Sequence, residues 1–112
     1  MRQKVEYPPI TDGLLAQMVN QILSVGNPQK IILFGSQARG DSRSDSDLDL
    51  LIIEESNQPR YKRAPRYLRA LVGIFPEKDV VVWTPDEVKE WAAVPNSFIT
   101  TALREGRILH EK

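Results

Sequence analysis

Apolar positions along the chain follow two rhythms, and each predicts its own kind of element. Residues 1 to 10 form a polar lead-in that ends near Pro8-Pro9. Thr11 or Asp12 can then cap a helix, because Leu14, Leu15, Met18, Val19, Ile22 and Leu23 recur at helical spacing. Gly26-Asn27-Pro28 stops that helix. The short β-branched runs from Lys30 to Phe34 and from Leu48 to Ile53 are bounded by Gly, Ser and Asp, and read as buried strands. Between them, Ser36 to Gly40 predicts one helical turn and Asp41 to Asp45 a polar loop.

The second half alternates the same elements. A loop with Pro59 leads to a helix expected from Tyr61 to Ile74, with Pro65 tolerated only near its start. Leu68, Leu71, Val72 and Phe75 are expected to face the sheet, and Arg63, Arg66 and Arg69 to face away or towards the site. Pro76-Glu77-Lys78 turns into a third strand, Asp79 to Trp83. Thr84-Pro85-Asp86-Glu87 reads as a helix start: a cap, a first-turn proline and acids at the positive dipole end. That helix carries Val88 and Trp91. Asn96 can cap a last helix with Phe98, Ile99, Ala102 and Leu103 as its stripe and Gly106 as its stop; Ile108-Leu109 adds a short terminal strand.

Composition narrows the class. The 112 residues suffice for one domain with a modest core, and 41% hydrophobic with 27% charged residues is ordinary for a folded protein. Lys+Arg and Asp+Glu are both 15, so net charge draws the chain to neither nucleic acid nor membrane. The charge is nevertheless uneven. Asp41 to Glu55 is mostly acidic, whereas Arg60, Lys62, Arg63, Arg66 and Arg69 form a basic run, read as a solvated helix face turned to a partner. Without cysteine, neither a disulfide framework nor a thiolate metal site is possible. No signal-like or membrane-spanning apolar run is present, so a cytoplasmic protein is expected.

The chemistry gathers where strands meet turns. Side chains alternate along a strand, so Asp47 and Asp49 share one face while Leu48 and Leu50 take the other. Two adjacent carboxylates repel unless a cation lies between them, and paired oxygens suit Mg²⁺. The Gly35-Ser36 turn can offer backbone N–H groups and a hydroxyl to a phosphate. Asp79 opens the third strand as Asp47 and Asp49 open the second, so neighbouring strands would bring three carboxylates to one end of the sheet. Three oxygen donors can hold one or two Mg²⁺ ions over nucleotide phosphates, and Asp79 is a candidate general base. His110, the one histidine, reads as a tail residue without catalytic duty.

Gly35-Ser36-Gln37-Ala38-Arg39-Gly40 followed by Ser46-Asp47-Leu48-Asp49-Leu50 resembles the signature of the DNA polymerase β-like nucleotidyltransferase superfamily. At this size the chain is most similar to the minimal nucleotidyltransferases, antitoxin partners of HEPN-domain ribonuclease toxins. The resemblance implies an α+β fold, a small mixed sheet flanked by helices in the manner of a polymerase β-like palm, over a single domain spanning 1–112. It implies phosphate contacts at Gly35 and Ser36, Arg39 near the phosphates or bracing the acidic loop, and metal ligation by Asp47, Asp49 and Asp79. It implies Mg²⁺-dependent transfer of AMP from ATP to a hydroxyl, a tyrosine of the HEPN toxin, by a type VII-like antitoxin. The alternative is an antitoxin that neutralises its toxin by stable binding alone; transfer to RNA or a small molecule ranks below both. Larger relatives carry an added substrate domain, so here a hetero-oligomeric protein partner is expected to complete the cleft, with no direct nucleic-acid binding.

Overall fold

Thr11 caps helix α1, Asp12–Val25, by accepting the Leu14 N–H at 3.1 Å, which satisfies one of the unpaired donors at the helix start. The computed structural model describes residues 10–35, 48–74 and 77–112. The expected turn at 36–40, the loop at 41–45 and Phe75 lie outside the described residues. Among those described, α1 is followed by β1 (Lys30–Phe34), β2 (Leu48–Ile53), a 3-10 turn (Arg60–Lys62), α2 (Pro65–Ala70), β3 (Lys78–Trp83), α3 (Pro85–Ala92), α4 (Phe98–Glu105) and β4 (Arg107–Glu111). No helix among the described residues is long and apolar enough to cross a membrane.

The strands form one sheet in the order β3-β2-β1-β4. β1 pairs antiparallel with both β2 and β4, and β2 pairs parallel with β3, so the sheet is mixed as expected for an α+β chain. A parallel pair requires a crossover, and residues 54–77 supply it with α2 packed over one face. That face meets α1 and α2 through Leu15, Met18, Ile22, Leu48, Leu50 and Tyr67, all buried. The other face meets α3 and α4 through a smaller cluster of Ile32, Leu51, Ile53, Trp83, Ile99 and Ala102. The period-2 pattern of β2 thus divides its residues between two cores of unequal size.

The crossover helix departs from its sequence reading. α2 covers Pro65–Ala70 only, because Pro65 occupies its first turn, Leu71 leaves the helix at ψ 2° and Gly73 turns with φ 90°. Leu68 and Val72, expected to face the sheet, are exposed, whereas Leu71 is buried as expected and Tyr67 fills the core beside it. α4 shows a smaller shift: its cap is Ser97 rather than Asn96, which adopts φ 60° in the preceding turn.

One member of the basic run, Arg63, turns inward, while Arg60, Lys62, Arg66 and Arg69 stay exposed. Buried Arg63 donates from Nε to the Gln58 carbonyl at 2.8 Å, and from Nη1 to the Val82 carbonyl at 3.2 Å and to Glu87 Oε1 at 2.6 Å. Arg60 stacks over Trp83 at 4.0 Å and reaches Glu87 Oε2 at 3.4 Å. Arg66 pairs with Glu54, which also accepts from the buried Tyr67 hydroxyl. Glu87 completes a capping box with Thr84, so Arg63 fastens the crossover to the β3–α3 junction.

Burial alone would raise the Glu87 carboxyl, but Arg63, the Thr84 N–H and the Arg60 charge hold it down to about 2. A carboxyl lowered by folding stabilises the native state above its unfolded value, near 4.5, and loses that contribution as pH falls towards 2. At about 1.36 kcal/mol per unit the shift corresponds to ~3 kcal/mol, which partial solvent screening reduces to ~2. Glu87→Gln is therefore expected to cost about 2 kcal/mol at pH 7 and to flatten the acid loss between pH 4.5 and 2. Urea unfolding across that range measures it; an unchanged acid profile would remove Glu87 from this role.

Candidate active site

β1 ends where the chain needs a residue without a side chain. Gly35 adopts φ 76°, the left-handed region that glycine enters without steric cost. A Cβ built there would press on Asp49 Oδ2 inside any real contact distance and stand 3.3 Å from Asp49 Cγ. The missing methyl is the space that the Asp49 carboxylate occupies. The sequence suggested Gly35 for phosphate contact, and packing adds that it makes room for the neighbouring acid.

Pairing register assembles the rest. Phe34 is the cross-strand partner of Asp49, and Asp49 is the partner of Asp79. Directly opposed residues share a face at about 4.8 Å per strand, so Phe34, Asp49 and Asp79 form a row across three strands. Asp49 is half-buried and Asp79 exposed. Two of the three expected carboxylates are therefore neighbours at one end of the sheet, on the α3–α4 face. Ser36, Arg39 and Asp47 lie outside the described residues.

Lys78 precedes Asp79 and so takes the opposite face, where burial lowers its ammonium and it donates to the Ile74 carbonyl. Among the described residues no three His, Cys, Asp or Glu groups gather as a metal-binding set. Asp49 and Asp79 are two, both hard oxygen donors, and the cradle left by Gly35 keeps the Asp49 carboxylate at the strand mouth. These features fit Mg²⁺. His110 is the β4 partner of Ile31, on the far side of β1 from the acids. The register also shows what the sequence reading missed: Phe34 lies in the carboxylate row, and Phe98 of α4 meets it edge-on with ring centroids 5.0 Å apart. The signal was available only as the position of Phe34 beside Gly35.

A family model described as the nucleotidyltransferase domain matches residues 15–110. The chain belongs to the nucleotidyltransferase family. A Methanocaldococcus jannaschii protein named as a putative protein adenylyltransferase is 49% identical over 41 residues, covering 35% of this chain and 41% of that protein. The match thus spans about two fifths of that relative's length. A crystal structure described as a toxin-antitoxin with AMP-PNP superposes over 88% of this chain and 73% of its own, with TM-score 0.63 and 16% identity. A putative nucleotidyltransferase from Sulfolobus solfataricus superposes over 70% of this chain and 71% of its own, with TM-score 0.56 and 26% identity. The nucleotidyltransferase architecture anticipated from the Gly-Ser turn and the Asp-x-Asp pair is therefore the observed one.

Proposed function

We propose that this nucleotidyltransferase moves AMP from ATP, with Mg²⁺, onto a tyrosine hydroxyl of a HEPN-family ribonuclease toxin, and acts as its cytoplasmic antitoxin. The observation that carries this is the Asp49–Asp79 pair at adjacent strand ends, one carboxylate seated in the space left by Gly35. The relative named for protein adenylylation supports a protein acceptor, and the toxin-antitoxin structure with AMP-PNP supports the fold for such a pairing.

The residues divide the work by position. Asp47, Asp49 and Asp79 would hold Mg²⁺, with two ions possible. Bound metal neutralises phosphate charge and favours the ionised acceptor hydroxyl. Gly35 and Ser36 would offer backbone N–H groups to the phosphates, and Arg39 would add its charge there. The acceptor oxygen forms a bond to the α-phosphorus, the bond to the bridging oxygen breaks, and pyrophosphate leaves with its electron pair. Asp79, the exposed member of the pair, takes the acceptor proton. Positioning and electrostatics supply most of such catalysis.

The test is incubation of the chain and its toxin with α-labelled ATP and Mg²⁺. Label is expected on a toxin tyrosine, and chelation of the metal should abolish it. A toxin silenced in a stable complex but never labelled would establish the binding-only antitoxin instead.

A further inference from the structure

Phe98 opens α4, and its position is over-determined. Ser97 Oγ accepts the Thr100 N–H at 3.1 Å and donates to the Trp91 carbonyl at 3.1 Å, so both ends of the α3–α4 turn are tied to the cap. The ring meets Phe34 edge-on at 5.0 Å and tilts against Trp83 at 6.1 Å. Two later residues of the helix, Ile99 and Ala102, are buried beneath it. Phe98 itself remains 41% exposed. A large apolar ring is thus held rigid yet left open to water, next to the residue that begins the carboxylate row.

The row gives that ring a direction. From Asp79 to Asp49 to Phe34 is about 10 Å at ordinary strand spacing, and the Phe98 ring lies against Phe34, on the side that faces Trp83. A nucleoside triphosphate seated with its phosphates at Gly35 and the acids must send its base away from them. Towards β3 the described rim is polar, with Glu77 and Asp79 exposed. Towards β1 and α4 it is aromatic.

Resting on the nucleotide site proposed above, we propose that Phe98, backed by Phe34, is the platform on which the nucleobase stacks. Every base has a π-face, so such a platform adds affinity without choosing among bases. The acceptor protein is the competing occupant of the ring, and the measurements below separate the two.

Binding is measured calorimetrically on the full chain without acceptor, using ATP, GTP and inorganic tripolyphosphate, each with Mg²⁺. Phe98→Ala is expected to weaken ATP and GTP about tenfold while leaving tripolyphosphate within about twofold, and Phe98→Trp is expected to restore both nucleotides. Wild-type ATP affinity in Phe98→Ala overturns the platform while the nucleotide site stands. Equal losses for ATP and tripolyphosphate also overturn it, since the ring would then serve the fold or the phosphates. Unchanged ATP binding with lost labelling of the acceptor assigns the ring to the acceptor protein. A wild-type chain that binds neither nucleotide nor tripolyphosphate removes this platform and the nucleotide site together.

Discussion

Asp49→Asn is expected to lower AMP transfer about a thousandfold while leaving the fold intact. Asparagine has nearly the shape of aspartate, so it still fits the space beside Gly35 where no Cβ is tolerated. What it loses is the charge that opposes phosphate repulsion through a bound cation. Asp79→Asn is expected to fall as far, because it is the register partner of Asp49 and the exposed candidate base. A thermal readout separates metal loss from damage. Mg²⁺ should raise the wild-type melting temperature by mass action, and that rise should vanish in either variant while its metal-free unfolding stays cooperative. A variant that keeps full transfer activity would remove that carboxylate from the site.

Gly26→Ala is expected to destabilise the chain by about 3 kcal/mol, lowering the melting temperature by about 10 °C or more. The backbone is not the cause, since φ −154° and ψ −177° suit any residue. The cause is close approach. A Cβ on Gly26 would overlap the Tyr67 hydroxyl, lie 2.7 Å from Tyr67 Cζ and reach within 3.0 Å of Glu54 Oε2. Tyr67 is fully buried, and its hydroxyl donates to Glu54, a carboxylate also paired with Arg66. Displacing the ring would leave a buried acceptor short of a donor, and overpacking adds to that penalty.

Tyr67→Phe removes the obstructing oxygen. The double variant Gly26→Ala/Tyr67→Phe is therefore expected to be more stable than the two single losses predict. Strict additivity in that cycle would show that Gly26 and Tyr67 do not oppose each other.

Much of the fold was legible because local rules and tertiary packing agree. The helical stripe of α1 became its buried face at Leu15, Met18 and Ile22, and Thr84 with Glu87 formed the capping box that their spacing announces. The alternation in β2 sorted Asp49 from Leu48 and Leu50 as period 2 requires. Failure came where a local pattern admits several solutions. Apolar residues from Leu68 to Val72 allowed a longer helix, but Pro65 and the left-handed turn at Gly73 confined it, and Tyr67 took the core position. Arg63 could not be told from its solvated neighbours in the basic run, because its partner Glu87 is distant in sequence.

The sequence by itself determined which groups are available: a glycine that can turn, acids at strand starts, helices with their caps, and a family signature. Only the tertiary structure decided which of them meet. Whether Asp79 stands beside Asp49 depends on strand order and register, and those follow from how two hydrophobic faces of the sheet are covered. Only packing placed Asp49 where a Gly35 side chain would be, and Phe98 against the Phe34 ring of the same row. Such contacts join residues far apart in the chain, and their energies depend on distances that no local pattern encodes.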